Sequence, residues 1–199
     1  MKEFILYIHG KGGTAEEAEH YKPLFPNCEV IGFDYHSQTP WEAKEEFPAF
    51  FAQQRQRCDR LTLIANSIGA FFAMSALDKT LVDRAYFISP VADMENLICN
   101  MMQWSNVTEQ ELAENREIAT NFGETLSWDY LLYVRAHPIS WNVPTQILYG
   151  EHDNLTSMET VSAFARRHNA KLTVMPAGEH WFHTAEQMQF LDDWIRSIL

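Results

Sequence analysis

The stretch "LTLIANSIGAFFA" (residues 61–73) decides the fold class, because it places a polar pair between two apolar segments. Its first half (61–66) predicts a buried strand, and residues 68–77 predict a helix that begins immediately after Ser67. Ser67 could cap that helix with its hydroxyl group. It could also be a nucleophile held on a sharp strand-to-helix turn. The residues that follow the other predicted strands help to distinguish these two interpretations.

Six short runs rich in Ile, Val, Leu and Phe are typical of strands that are buried on both faces of a sheet. They span residues 4–9, 28–33, 61–66, 85–90, 145–150 and 171–176. Helical signals lie between or after them, at 41–58, 68–77 and 184–199, with a capping box formed by Thr14 and Glu17. Strands that alternate with helices predict an α/β fold, a doubly wound and mainly parallel six-stranded sheet with helices on both faces.

The composition limits the class of protein. A chain of 199 residues with 46% hydrophobic side chains predicts a single domain over 1–199. The net charge of −12 disfavours nucleic acid and anionic membranes as partners and is compatible with a neutral or cationic small molecule. Cys28, Cys58 and Cys99 are widely spaced, which predicts free thiols in a reducing compartment. Without a signal-peptide pattern or a run of ~20 apolar residues, we expect a cytoplasmic protein.

The segment from about 94 to 140 is longer than one crossover helix requires. Thr108 and Glu111 form another capping-box pattern, and residues 127–137 have a helical pattern that Pro138 ends. We therefore expect an insertion of two or three helices that forms a lid. Large apolar side chains of this segment could line a substrate pocket or could simply anchor the insertion; the candidates are Met101, Met102, Trp104 and Trp128.

Residues suited to acyl-transfer chemistry follow four of the predicted strands. They are the Gly-rich "HGKGGT" (9–14), Ser67, Asp153 in "GEHDN" and His180 in "AGEHWFH". Because the carboxyl ends of parallel strands lie at one edge of a sheet, we expect these segments to meet. "ANSIG" differs from the G-x-S-x-G turn only in Ala65, which is still a small residue.

Each of these residue types suits one step of the chemistry. A serine needs a base, and the imidazole of His180 can take the proton of Ser67 and return it to a leaving group. Asp153 would orient that imidazole and stabilise its charged form. His183 is an alternative base, and Asp93, after the fourth strand, is an alternative acid. Backbone N–H groups of Ile68 and of Lys11 or Gly12 would bind the oxyanion.

The order serine, aspartate, histidine along the chain, with the "HGKGG" loop and "LYGEHD", resembles the α/β-hydrolase superfamily. In size the chain is similar to its small serine-hydrolase and esterase branch with a short helical lid. The resemblance implies a serine hydrolase without a cofactor. Its substrate would be an ester or related acyl compound that is small and partly apolar.

Three other interpretations remain open. "IHGKGGTA" (8–15) and Asp34 also fit a nucleotide-binding βαβ unit, in which the loop Gly10–Ala15 would bind the NAD of an oxidoreductase. This interpretation leaves the serine, aspartate and histidine motifs unexplained. A metal site is disfavoured, because the candidate ligands lack a known spacing: His9, His152, Asp153, His180 and His183. A hydrolase fold could also bind a ligand without turnover.

Overall fold

A computed structural model of the chain describes residues 1–199, which divide into two compact units. The first comprises Met1–Ala92 and Ser140–Leu199, and the second is Asp93–Ile139. In chain order the strands are β1 (Glu3–Ile8), β2 (Glu29–Gly32), β3 (Arg60–Asn66), β4 (Arg84–Ile88), β5 (Glu117–Ala119), β6 (Thr125–Ser127), β7 (Thr145–Gly150) and β8 (Lys171–Met175). The α-helices are α1 (Pro40–Arg55), α2 (Ile68–Ala76), α3 (Met94–Trp104), α4 (Glu109–Asn115), α5 (Trp128–Ala136), α6 (Met158–Arg167) and α7 (Ala185–Ile198). None of these helices is long and apolar enough to cross a membrane.

The first unit contains one six-stranded sheet with the order β2-β1-β3-β4-β7-β8. All of its neighbouring strands are parallel, and each overlaps a run predicted from the sequence. The chain builds one half of the sheet from β1 to β2 and then returns to build the other half from β3. This reversal confirms the predicted doubly wound fold and places the switch point between β1 and β3. Residues Leu61, Leu63, Ile64 and Ala65 are fully buried, as expected for a strand covered on both faces.

The helices of the first unit depart from the sequence prediction in two places. The segment after β1 forms a 3-10 helix over Ala15–Leu24, with Pro23 inside it, where the capping-box pattern had indicated only a helix. The α6 helix was not identified in the sequence. Ser157 caps it by accepting a hydrogen bond from the Thr160 N–H group at 3.1 Å.

The second unit combines α3, α4 and α5 with an antiparallel hairpin of β5 and β6, which the sequence analysis did not predict. Leu112, Leu126 and Leu131 are almost completely buried within it. Arg135 pairs with Glu95 at 2.7 Å and with Glu109 at 2.6 Å, so one side chain on α5 links α3 and α4. Because these ion pairs are exposed, burial of the leucines contributes more to the stability of this unit than they do.

Candidate active site

Ser67 occupies a sharp turn between β3 and α2. Its backbone angles are φ 50° and ψ −120°, a conformation that residues other than glycine rarely adopt. The Ser67 N–H group donates to the Ile88 carbonyl at 3.0 Å, and the Val91 N–H group donates to the Ser67 carbonyl at 3.1 Å. These bonds to the segment around β4 hold a conformation that costs on the order of 1–3 kcal/mol.

Small residues allow the turn to pack against the loop after β1. A Cβ atom at Gly69 would lie 2.4 Å from the His9 carbonyl oxygen, so only glycine fits there. A Cβ atom at Gly10 would lie 3.2 Å from the Cβ atom of Ser67, which shows how closely this loop approaches the serine. Ala65 is fully buried in β3, and the turn is sharp although alanine replaces the first glycine of the motif.

The side chains of Ser67, His180 and Asp153 form a continuous hydrogen-bonded chain. His180 Nε2 lies 2.9 Å from Ser67 Oγ, and His180 Nδ1 lies 2.7 Å from Asp153 Oδ2. Because an ionised carboxylate can only accept, a neutral imidazole donates from Nδ1 and leaves Nε2 to accept the serine proton. The Asp153 side chain is fully buried, whereas that of His180 is 18% exposed.

Donors next to Asp153 in sequence satisfy its buried carboxylate. The N–H groups of Leu155 and Thr156 donate to Oδ1 at 2.8 and 3.0 Å, and the Thr156 hydroxyl donates to Oδ2 at 3.2 Å. Tyr149 in turn donates its hydroxyl to the Thr156 carbonyl at 2.8 Å. Burial and, to a lesser extent, the Asp153 charge raise the pKa of Tyr149 to about 12. The sequence analysis missed Thr156, although Asp side chains commonly stabilise turns by accepting from backbone N–H groups two residues further on, as Asp153 does from Leu155.

The loops that carry Asp153 and His180 are joined directly. The His152 N–H group donates to the Gly178 carbonyl at 2.7 Å, and a Cβ atom at Gly150 would lie 2.4 Å from the Glu179 carbonyl. Glu151 accepts a hydrogen bond from the Ala177 N–H group at 2.9 Å. Ala177 has φ 55°, so the histidine loop is also strained. Glu151 is exposed, and its contact with the histidine loop could not be read from the sequence.

The alternative base and acid make other contacts. His183 is exposed, its Nδ1 lies 2.7 Å from the Trp181 carbonyl, and its ring stacks on the Trp181 ring at 4.5 Å. Asp93 caps α3 by accepting from the Asn96 N–H group at 2.9 Å. Ser67 is therefore hydrogen-bonded to His180 and not to His183, and His180 is hydrogen-bonded to Asp153 and not to Asp93.

The loop proposed to bind the oxyanion lies next to Ser67. It contains Lys11 and Gly12 in a turn that the Gly13 N–H group closes by donating to the Gly10 carbonyl at 3.1 Å, and Gly12 has φ 74°. The adjacent His9 ring stacks on Tyr35 at 4.3 Å, and the Tyr35 hydroxyl donates to the His9 carbonyl at 3.0 Å. Ile68 is the first residue of α2, where N–H groups have no acceptor within the helix. That these N–H groups bind an oxyanion stays a prediction.

The same loop lacks features of a dinucleotide site. A 3-10 helix follows it instead of an α-helix whose N-terminus could face a pyrophosphate. Glu17 accepts from the Thr14 N–H group at 3.2 Å and from the Tyr7 hydroxyl. Its carboxylate therefore lies beside the loop that would bind the pyrophosphate of a dinucleotide, and the two negative charges would repel each other. Asp34 is exposed beyond the end of β2. No group of three or more His, Cys, Asp or Glu side chains is arranged to hold a metal ion, and all three cysteines are free.

The predicted pocket residues all belong to the second unit. Met102 is buried, and Met101 and Trp128 are half-buried. Trp104 is 49% exposed, with its ring 6.1 Å from that of Phe122. Their contribution to a substrate pocket, and the function of this unit as a lid, stay predictions.

Ser89 also has an unusual backbone that the sequence did not reveal. It follows β4 with φ 43°, is fully buried, and donates its N–H group to the Leu148 carbonyl at 2.8 Å. Because it follows Ile88, the acceptor of the Ser67 N–H group, it belongs to the framework that supports the serine turn.

Comparison with known proteins agrees with this architecture. No family model matches the chain. A Mycoplasma genitalium protein with the provisional name esterase/lipase 3 is 26% identical over 122 residues, which is 60% of this chain but only 42% of that protein. Est1E from Butyrivibrio proteoclasticus, also solved with ferulic acid bound, superposes with a TM-score of 0.80 at 17% identity, covering 99% of this chain and 86% of its own. Mouse α/β-hydrolase domain-containing protein 10 superposes with a TM-score of 0.75 at 16% identity, covering 98% of this chain and 88% of its own. The chain thus has the α/β-hydrolase fold.

Proposed function

We propose that the protein is a serine hydrolase that cleaves a carboxylic ester or a related acyl bond through an acyl-enzyme on Ser67. The observation that carries the proposal is the unbroken hydrogen-bonded chain from Ser67 through His180 to the buried Asp153. A serine that only capped a helix would need neither a histidine at 2.9 Å nor a strained backbone.

In the first half-reaction, Ser67 Oγ attacks the acyl carbon while His180 Nε2 takes its proton. The carbonyl oxygen becomes an oxyanion, which the Ile68 N–H group and that of Lys11 or Gly12 stabilise. The tetrahedral intermediate then collapses: the bond to the leaving group breaks, and His180 returns its proton to that group. The acyl-enzyme and a free alcohol, thiol or amine result.

The second half-reaction repeats these steps with water. His180 takes a proton from a water molecule, whose oxygen attacks the acyl carbon, and then protonates Ser67 Oγ as the acid is released. Asp153 keeps the imidazole in the tautomer with the proton on Nδ1 and stabilises its charged form in both halves. Because Asp153 is fully buried and held by three neighbouring donors, the imidazole needs little reorganisation during the reaction.

A small and partly apolar acyl substrate fits the charge and the chemistry of the chain. The net charge of −12 favours neutral or cationic molecules over anions at the protein surface. Ferulic acid is bound to Est1E, a protein of the same fold, which makes aromatic acyl groups a useful part of a substrate panel.

The test is a screen of p-nitrophenyl esters of increasing acyl length, together with methyl ferulate, with the Ser67→Ala protein as blank. We expect turnover of at least one ester by the wild type and only the background rate with the blank. Equal rates from both proteins would refute the mechanism. Absence of turnover together with a ligand that raises the melting temperature would instead favour a binding protein with a hydrolase fold.

A further inference from the structure

A cavity of about 600 Å³ lies at the opposite edge of the sheet from Ser67. It opens where β4, β7 and β8 begin, and Ile198 at the end of α7 contributes to its wall. This volume lies within the usual range of small-molecule sites. The proposed hydrolase chemistry, which occupies the carboxyl ends of the strands, does not use it.

The strand register places two cations on the same face of the sheet beside this cavity. Tyr86 is paired with Gln146, and Gln146 is paired with Lys171. Arg84 precedes Tyr86 by two residues and therefore points to the same face. Neighbouring strands are about 4.8 Å apart, and Lys171 lies level with Tyr86, two residues or about 6.6 Å further along the strands than Arg84. The backbones of Arg84 and Lys171 are therefore roughly 12 Å apart.

The acids near Arg84 are already engaged by other donors. Asp83, which also lines the cavity, accepts from Arg55 at 2.8 Å and from the Leu61 N–H group at 2.8 Å. Glu3 accepts from the Thr62 hydroxyl at 3.1 Å. A hydrogen bond with the Tyr86 side chain and, more weakly, the charges of Glu3 and Asp83 raise the pKa of Arg84. A guanidinium is in any case protonated at neutral pH. Its charge thus remains available to an anionic ligand.

The rest of the lining provides neutral donors and an apolar wall. The amide side chains of Asn142, Gln146 and Asn169 can donate to an anion, and Pro144 and Ile198 supply apolar surface. The carboxyl end of α7 opposes anion binding with a partial charge of about −0.5. Asp83 adds a full negative charge to the lining, which its ion pair with Arg55 offsets, so the positive charge that faces an anion comes from Arg84 and Lys171.

We propose that this cavity binds a small organic phosphate, with the phosphate group between Arg84 and Lys171 and the organic part against Ile198. A phosphate monoester carries close to two negative charges at neutral pH and so balances both cations, and its organic part would occupy the volume that phosphate alone leaves empty. In a chain with a net charge of −12, such a site attracts an anion only through this local group of cations.

Calorimetric titration of the full chain with phenyl phosphate at low ionic strength tests the proposal. We expect saturable binding that phenol, the neutral analogue, does not reproduce. Arg84→Gln combined with Lys171→Gln should weaken binding about tenfold or more, because two charge-assisted hydrogen bonds are lost. Lys79→Gln removes one positive charge from an exposed position outside the cavity and should leave the affinity unchanged.

The proposal fails if phenyl phosphate gives no saturable binding, if phenol binds equally well, or if the double variant binds like the wild type. It also fails if Ser67→Ala abolishes binding, since the ligand would then occupy the site at the other edge of the sheet. Lys171→Gln alone changes an exposed side chain and keeps the test valid if the double variant does not fold. Because calorimetry measures binding and not ester hydrolysis, the phosphate site and the hydrolase mechanism are tested independently.

Discussion

The two edges of the parallel sheet differ in how their backbone is strained. At the carboxyl edge, positive φ angles occur at Ser67, Ser89 and Ala177, residue types that resist this conformation. At the amino edge, the positive φ beside the cavity occurs at Asn169, a residue type that tolerates it. Costly strain is therefore concentrated where Ser67 and His180 must be held in one geometry.

The polar side chains at the two edges also differ in what they contact. At the carboxyl edge Ser67, His180 and Asp153 are hydrogen-bonded to one another, which prepares them for proton transfer. At the amino edge Arg84 and Lys171 line an open cavity, where their charges are available to a ligand. In our proposals, one sheet thus supports a fixed set of reacting groups at one edge and a binding site at the other.

The largest expected effect comes from removing the Ser67 hydroxyl, the proposed nucleophile at the carboxyl edge. Ser67→Ala should reduce kcat for ester hydrolysis by on the order of 10⁶ if the three side chains act as a unit. The Ser75→Ala variant, on the same helix, removes a hydroxyl that donates to the Phe71 carbonyl at 2.8 Å within that helix, and it should retain activity. Steady-state rates with the best p-nitrophenyl ester measure both, and comparable losses in the two variants would contradict the assignment.

The next largest effect distinguishes Asp153, the buried acid, from Asp93, the alternative acid. Asp153→Asn should lower kcat by about 10⁴, because an amide at this position favours the wrong tautomer of His180. Asp93→Asn should retain activity and stability, since asparagine also caps helices well. The two variants are compared by kcat and by thermal unfolding. A fully active Asp153→Asn protein with an inactive Asp93→Asn protein would move the acid to Asp93.

A smaller effect is expected from separating the loops that carry Asp153 and His180. In Gly150→Ala the added methyl group would lie 2.5 Å from the Gly178 carbonyl and 2.4 Å from the Glu179 carbonyl, and this collision would move Asp153 relative to His180. We expect kcat to fall about 100-fold with little change in KM, because a displacement near 1 Å misaligns the reacting groups. Kinetics on protein shown to be folded by circular dichroism test this, and an unchanged kcat would contradict a tight contact between the loops.

The smallest effect tests the strain at the carboxyl edge directly. Ala163→Gly, at an exposed position in α6, should lower the free energy of unfolding by about 1 kcal/mol. Ala177→Gly should lower it less or raise it slightly, because relief of the positive φ, worth about 1–2 kcal/mol, offsets the greater entropy of the unfolded chain. Chemical denaturation compares the two variants, and equal losses would argue against strain at Ala177.

The architecture was predictable because its signals are local. Buried parallel strands are continuous apolar runs, so 61–66 and the five similar runs each correspond to an observed strand. Ser67, Asp153 and His180 each follow such a run, and a parallel sheet brings the carboxyl ends of its strands to one edge. Their proximity therefore follows from topology and does not require knowledge of side-chain packing.

Other features depend on contacts between distant residues or on very short elements. Strands β5 and β6 have three residues each, too few to show a period. Glu151 contacts Ala177, and Ile88 accepts from Ser67, only because the sheet brings them together. The choice between His180 and His183 likewise depends on ring orientation, which three residues of spacing cannot reveal.

The most direct test of the central claim, that Ser67 is a nucleophile activated by His180, is covalent labelling with a fluorophosphonate followed by peptide mass spectrometry. We predict one adduct, on Ser67, formed by the wild type, greatly slowed in His180→Ala and absent in Ser67→Ala. An adduct on another residue, or labelling of Ser67 at the same rate without His180, would contradict the account.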